Sequence, residues 1–158
     1  MNPILLFNNF NNDIVINAVN CTTFNFDLTY TGNIRVEWGD STFQNTGTIF
    51  NKTYSSPFTG VIKIKGNLNS VTSFSSTSNT GIRIDLKEFW KFKTLKSLRF
   101  SGNCFINNTI AEIPRVTETL FLQALPNVTL TGTSLDLPRV TDTLILHQFN
   151  LILSGTLI

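Results

Sequence analysis

The first part of the chain alternates between apolar and polar residues with a period of two. The clearest run is Val61–Lys65 (V-I-K-I-K), in which one face is apolar and the lysines point to water. Turn residues separate this run from others of the same kind, at residues 31–33, 39–41 and 55–57. The pattern predicts strands at residues 14–16, 22–30, 33–38, 47–54 and 60–65.

The second part of the chain repeats itself. Residues 113–123 return as residues 137–147, and ten of the eleven pairs are identical or close in chemistry. The spacing is 22 residues from Leu98 to Leu120 and 24 from Leu120 to Leu144. A repeat of this period predicts stacked short parallel strands, because no single unit can bury its apolar face alone.

The segment between these parts is less regular. Residues 67–80 are rich in Ser, Thr and Asn and form either a linker or an irregular first repeat. Asp85 and Glu88 have the spacing of a capping box. They predict a short helix over residues 86–92, which buries Trp90 together with Leu86 and Phe89.

Composition narrows the function. Charged residues make up 14% of the 158 residues, against roughly 25% in an ordinary soluble domain. The net charge of +2 argues against a nucleic-acid partner, and the apolar runs are too short to span a membrane. Six of the twelve basic residues lie between Arg83 and Arg99. This cluster is either a solvated face or a patch for an anionic partner.

The chain offers few groups for chemistry. His147 is the single histidine, Cys21 and Cys104 lack metal-binding spacing, and the ten carboxylates are scattered. Charged residues at equivalent repeat positions predict a solvated ladder on the surface: Arg115 with Arg139, and Glu118 with Asp142. We therefore predict a protein that is not an enzyme, with no catalytic residue, no cofactor and no metal site.

Three segments resemble the polycystic-kidney-disease (PKD) domain, an Ig-like β-sandwich: residues 37–41 (E-W-G-D-S), 51–54 (N-K-T-Y) and 60–64 (G-V-I-K-I). The chain departs from that family at Ser41, Lys52 and Ile62. Residues 95–103 (L-K-S-L-R-F-S-G-N) resemble the strand signature of leucine-rich repeats. Together the segments are similar to the N-terminal region of bacterial surface proteins with leucine-rich repeats. That resemblance implies adhesion and surface recognition, with no catalytic residues to transfer.

The expected fold is all-β, with an Ig/PKD-like β-sandwich over residues 1–66 and a short, irregular leucine-rich-repeat-like parallel stack with one short helix over residues 81–158. Residues 67–80 connect them. The predicted structural core comprises Trp38, Gly39, Asp40, Tyr54, Trp90, Leu98, Leu120, Leu122, Leu144 and Leu146.

The predicted function is structural or adhesive, through surface contacts. The N-terminus lacks a signal-peptide pattern and the sequence stops in mid-repeat, which favours a bacteriophage virion component such as a decoration, spike, penton or fibre subunit. The alternative is the recognition region of a bacterial surface adhesin, located on the cell surface. Expected partners are further copies of the chain or other virion subunits, with a host-surface receptor or glycan as further candidates. The predicted interface residues are Leu151, Leu153, Leu157 and Ile158.

Overall fold

The computed structural model describes residues 12–77, 79–123, 127–133, 136–147 and 150–153. Twelve strands in these residues form one hydrogen-bonded sheet, so the predicted all-β class is confirmed. The strands are β1 (Ile14–Thr29), β2 (Ile34–Glu37), β3 (Phe43–Asn45), β4 (Ile49–Gly66), β5 (Ser73–Ser76), β6 (Thr80–Ile84), β7 (Ser97–Ser101), β8 (Asn103–Thr109), β9 (Thr119–Gln123), β10 (Asn127–Gly132), β11 (Thr143–His147) and β12 (Asn150–Leu153). Short 3₁₀ helices are η1 (Leu68–Ser70), η2 (Leu86–Lys91) and η3 (Ile110–Glu112).

Strand β1 joins the parts of this sheet. One edge of β1 pairs antiparallel with β4, from Ile14 opposite Ile64 to Asp27 opposite Ile49. The other edge pairs with β6 near its start and with β5 near its end. Between these contacts the β1–β4 register shifts twice, and Asn20 has φ 53°. Bulges of this kind bend a strand and increase its twist, which lets β1 serve two different neighbours.

Two rows of parallel strands extend from β1. The first row is β5, β7, β9 and β11, and the second row is β6, β8, β10 and β12. The chain alternates between the rows, so one circuit of the stack contains a strand of each. Residues in register along the first row are Ser73, Ser97, Thr119 and Thr143. The sequence repeat of 22 to 24 residues is therefore one circuit.

The stack is held by apolar residues that meet in register. Phe74, Leu98 and Leu120 are opposite one another on successive strands of the first row, and all three are fully buried. In the second row, Ile106 and Val128 are opposite each other and are buried. Burying each such side chain contributes about 1.5–3 kcal/mol.

A cluster of aromatic rings connects the parallel stack to strands β1–β4, which we call the earlier strands. The ring of Phe74 lies 5.3 Å from that of Phe26 on β1 and 4.9 Å from that of Phe89 on η2. Phe26 in turn lies 6.0 Å from Trp38. The predicted boundary at residue 66 coincides with the end of β4, but both sides of it share one sheet and one continuous core.

Trp38 is held at the centre of the earlier strands. It is 2% exposed, and the hydroxyl of Tyr54 donates to its carbonyl oxygen at 2.8 Å. Gly39 follows with φ +84°, and an added Cβ there would lie 2.4 Å from the carbonyl oxygen of Val61. Only glycine fits this turn. Asp40 accepts from the backbone N–H two residues on, at 3.1 Å, and lies on the surface.

Four predicted core residues are exposed: Gly39 and Asp40, which form the turn after Trp38, and the larger Trp90 and Leu144. Trp90 is 38% exposed, because its indole N–H donates to the carbonyl oxygen of Glu112 at the surface instead of packing inward. Leu144 is 45% exposed, because it lies on β11, the outermost described strand of the first row. Leu98, Leu120 and Leu122 are buried as predicted, and Leu146 packs partly buried against the core.

Local predictions also need correction. Residues 86–91 form a 3₁₀ helix, and Asp85 caps it through Lys87 N, whereas Glu88 accepts from Val15 N. The predicted turn at 55–57 lies inside β4, where Cys21 is opposite Phe58 and Thr23 is opposite Thr53. The turn residues thus mark a bulge opposite β1.

The predicted interface residues are only partly described. Leu151 and Leu153 lie in β12, opposite Leu130 and Gly132 of β10. Leu157 and Ile158 lie outside the described residues.

Replacing Trp38 with alanine should lower the free energy of unfolding by about 3–5 kcal/mol, because it empties a buried aromatic site. The matched control is Trp90→Ala, which removes the same side chain from a site that is 38% exposed and should therefore cost less than Trp38→Ala. Urea denaturation measures both. Equal midpoints for the two variants would contradict the placement of Trp38 in the core.

Candidate recognition site

In the described part of the chain, no group of three or more His, Cys, Asp or Glu side chains is placed to hold a metal ion. Cys21 and Cys104 are buried free thiols, and burial raises the pKa of Cys104 to about 11. That pKa keeps the thiol protonated at neutral pH. The surface has an open cleft beside Trp90.

This Trp90 cleft lies where successive circuits of the stack expose the loops that precede β9 and β11. Its volume is about 490 Å³. The indole, several apolar side chains and three charged side chains line it. Its main lining residues are Trp90, Ile113, Arg115, Asp136, Pro138 and Arg139.

The indole of Trp90 is fixed in place although it is exposed. Its N–H donates to the carbonyl oxygen of Glu112 at 2.9 Å. Lys93 Nζ donates to the carbonyl oxygen of Trp90 at 3.0 Å, and the Arg115 guanidinium lies 6.0 Å from the ring centre. An aromatic ring that is already immobilised loses little side-chain entropy when a ligand covers it.

Glu112 anchors the loop that holds this ring. Its carboxylate accepts from Asn108 Nδ2 and from Thr109 N, both at 2.8 Å, and pairs with Lys87 Nζ at 2.6 Å. The hydrogen bond from Lys87, followed by those from Asn108 and Thr109, lowers the pKa of Glu112 to about 2. The N-terminus of η3 is thereby tied to β8 and η2.

Three cations occupy equivalent positions on successive circuits. Glu118 N donates to Lys96 O at 2.9 Å and Asp142 N donates to Glu118 O at 3.0 Å, which sets these residues in register. Three residues earlier in each circuit stand Lys93, Arg115 and Arg139, which we call the basic ladder. All three are exposed, and none forms a salt bridge within the described residues.

Arginine–aromatic pairs recur elsewhere on the surface. Arg99 stands 4.1 Å over the ring of Phe121 on the first row. A second pair, Arg83 over Phe105 at 5.4 Å, lies on the second row. Arg35 over Phe43, at 3.9 Å, lies on β2 and β3. Aromatic residues and arginine are enriched in protein interfaces, so the outer faces are suited to contacts.

The sequence predicts this site only in part. The repeat aligns Arg115 with Arg139, whereas the helix pattern predicts that Trp90 is buried. The repeat does not align Lys93 with them, because the circuit before Arg115 is 22 residues long instead of 24. His147 lies on β11 opposite Gln123.

The chain matches no protein-family model, and comparison with curated proteins and with solved structures finds no match. The PKD-like and leucine-rich-repeat-like features therefore depend on the quoted residues alone. Among the described residues, no helix is long and apolar enough to cross a membrane.

Glu112→Gln should destabilise the protein by about 1–2 kcal/mol at pH 7, because it weakens hydrogen bonds to a charged group. The pKa of Glu112 is depressed in the folded state, so its contribution is full above about pH 4.5 and is lost as the pH falls toward 2. The stability gap between wild type and variant should therefore close over that window. Urea titrations from pH 7 to pH 3 measure the gap, which should narrow steadily below about pH 4.5, and a constant gap would refute this role.

Proposed function

We propose that this chain is a non-enzymatic recognition and assembly protein that acts through surface contacts, as a bacteriophage virion component such as a decoration, spike, penton or fibre subunit. The carrying observation is the set of exposed arginine–aromatic pairs, which includes Arg115 with Trp90 and Arg99 with Phe121. Tryptophan, tyrosine and arginine dominate the energetics of protein interfaces. Self-association and contacts with other virion subunits are the expected modes of use.

The outermost described circuit supports the assembly part of this proposal. Within the described residues, β11 pairs with β9 alone, and Leu144 leaves 45% of its surface exposed. A strand edge with an exposed apolar side chain is suited to contact with another chain.

A second candidate is the recognition region of a bacterial surface adhesin. The resemblance of residues 37–41 and 95–103 to segments of such proteins favours it. In that setting the Trp90 cleft would face a host-surface receptor or glycan.

The cellular location separates these candidates. Antibodies against the purified chain should label density-purified phage particles from the source culture. Labelling of intact bacterial cells, without labelling of particles, would contradict the virion proposal and support the adhesin. Labelling of neither particles nor cells would contradict both settings.

The purified chain should self-associate at micromolar concentration in sedimentation-velocity experiments. Leu144→Lys should shift it toward monomer, because it places a charge on the exposed edge. Ile49→Lys, at a residue 56% exposed on β4, is the matched control and should leave the association unchanged. A wild-type chain that stays monomeric would contradict self-association.

A further inference from the structure

We propose that the Trp90 cleft and the basic ladder together bind a linear acidic polysaccharide. A sugar ring covers the indole of Trp90, and carboxylates of the polymer pair with Arg115 and Arg139. This inference rests on the proposed recognition function and names the class of ligand that the surface takes.

Two charges of the ladder, those of Arg115 and Arg139, are available to a ligand. Other cations nearby are already paired: Lys87 with Glu112, Lys91 with Glu88 and Lys96 with Glu118. Arg115 and Arg139 have no such carboxylate among the described residues and are exposed at the edge of the cleft. A guanidinium binds a carboxylate through two parallel hydrogen bonds, which makes arginine the suitable cation for this ligand.

The indole supplies the second part of the site. Trp90 presents a flat apolar surface that the hydrogen bond to Glu112 holds still. The apolar C–H face of a sugar ring matches this surface, and the hydroxyl of Thr117, which also lines the cleft, can hydrogen-bond to sugar hydroxyls. Apolar walls with a few polar groups at fixed positions are the usual composition of a ligand site.

The regular spacing of the cations favours a regular polymer. Stacked parallel strands lie about 4.8 Å apart, so the backbones that carry Arg115 and Arg139 are offset by one such step. A polysaccharide with one carboxylate per sugar presents negative charges at similarly regular intervals. A nucleic acid would need a larger basic surface than these three cations provide.

The test uses the full chain with hexagalacturonate as the acidic probe and maltohexaose as its neutral counterpart. Calorimetry should show binding of the first and not of the second. The double variant Arg115→Gln/Arg139→Gln should weaken binding at least tenfold, and so should Trp90→Ala. Lys96→Gln is the matched control, because that lysine is paired with Glu118, and it should change affinity less than twofold.

Tryptophan fluorescence gives a readout that is specific to the site. Binding should change the wild-type emission, and Trp90→Ala should abolish that change while buried Trp38 still emits. The unfolding midpoint of each variant confirms that it is folded.

Absence of hexagalacturonate binding would overturn the inference, as would affinity unchanged in the variants. Equal affinity for a hexaglutamate peptide or for a six-nucleotide oligothymidylate would also overturn it, in favour of an unselective anion site. These failures differ from failure of the proposed function, because antibody labelling and self-association do not depend on a saccharide.

Discussion

The sharing of strand β1 between two sets of neighbours is the constraint on which the rest of the structure depends. Its one edge carries β4, and its other edge starts both rows of the parallel stack. The stacked rings of Phe26 on β1 and Phe74 on β5 fill the junction between them. Asn79 adds a hydrogen bond to this junction, because its side-chain oxygen accepts from the backbone N–H of Asn25 on β1 at 3.1 Å. The stack therefore begins on β1, which pairs with the first strand of each row.

The in-register stacking that starts on β1 determines which side chains lie next to one another on the surface. Each circuit repeats the previous one in register, so that a charge in one loop recurs at the same place in the next. Arg115 and Arg139 thus stand on successive circuits beside the exposed ring of Trp90. The interior of the stack is apolar, with Leu98, Leu120 and Leu122 buried. The exposed charged and aromatic side chains consequently lie in the loops and on the outer faces.

Much of this architecture could be predicted from sequence periodicity. The alternation around Val61–Lys65 predicts strands, because burying one face of a strand imposes a period of two residues. The repeat at 113–147 predicts the length of one circuit, because each circuit buries the same positions. The continuity of β1 could not be predicted, since a bulge interrupts alternation in the same way that a turn does. The exposure of Trp90 depends on a carbonyl group 22 residues away, at Glu112, which no local pattern reveals.

The central claim is that the earlier strands and the stack form one cooperative unit around β1. Urea unfolding followed by pulsed hydrogen exchange and mass spectrometry tests it, by comparing peptides from residues 34–66 with peptides from residues 97–123. The account predicts one common midpoint for both regions, because they share a sheet and a core. Two separate midpoints, with one region protected while the other exchanges, would contradict it.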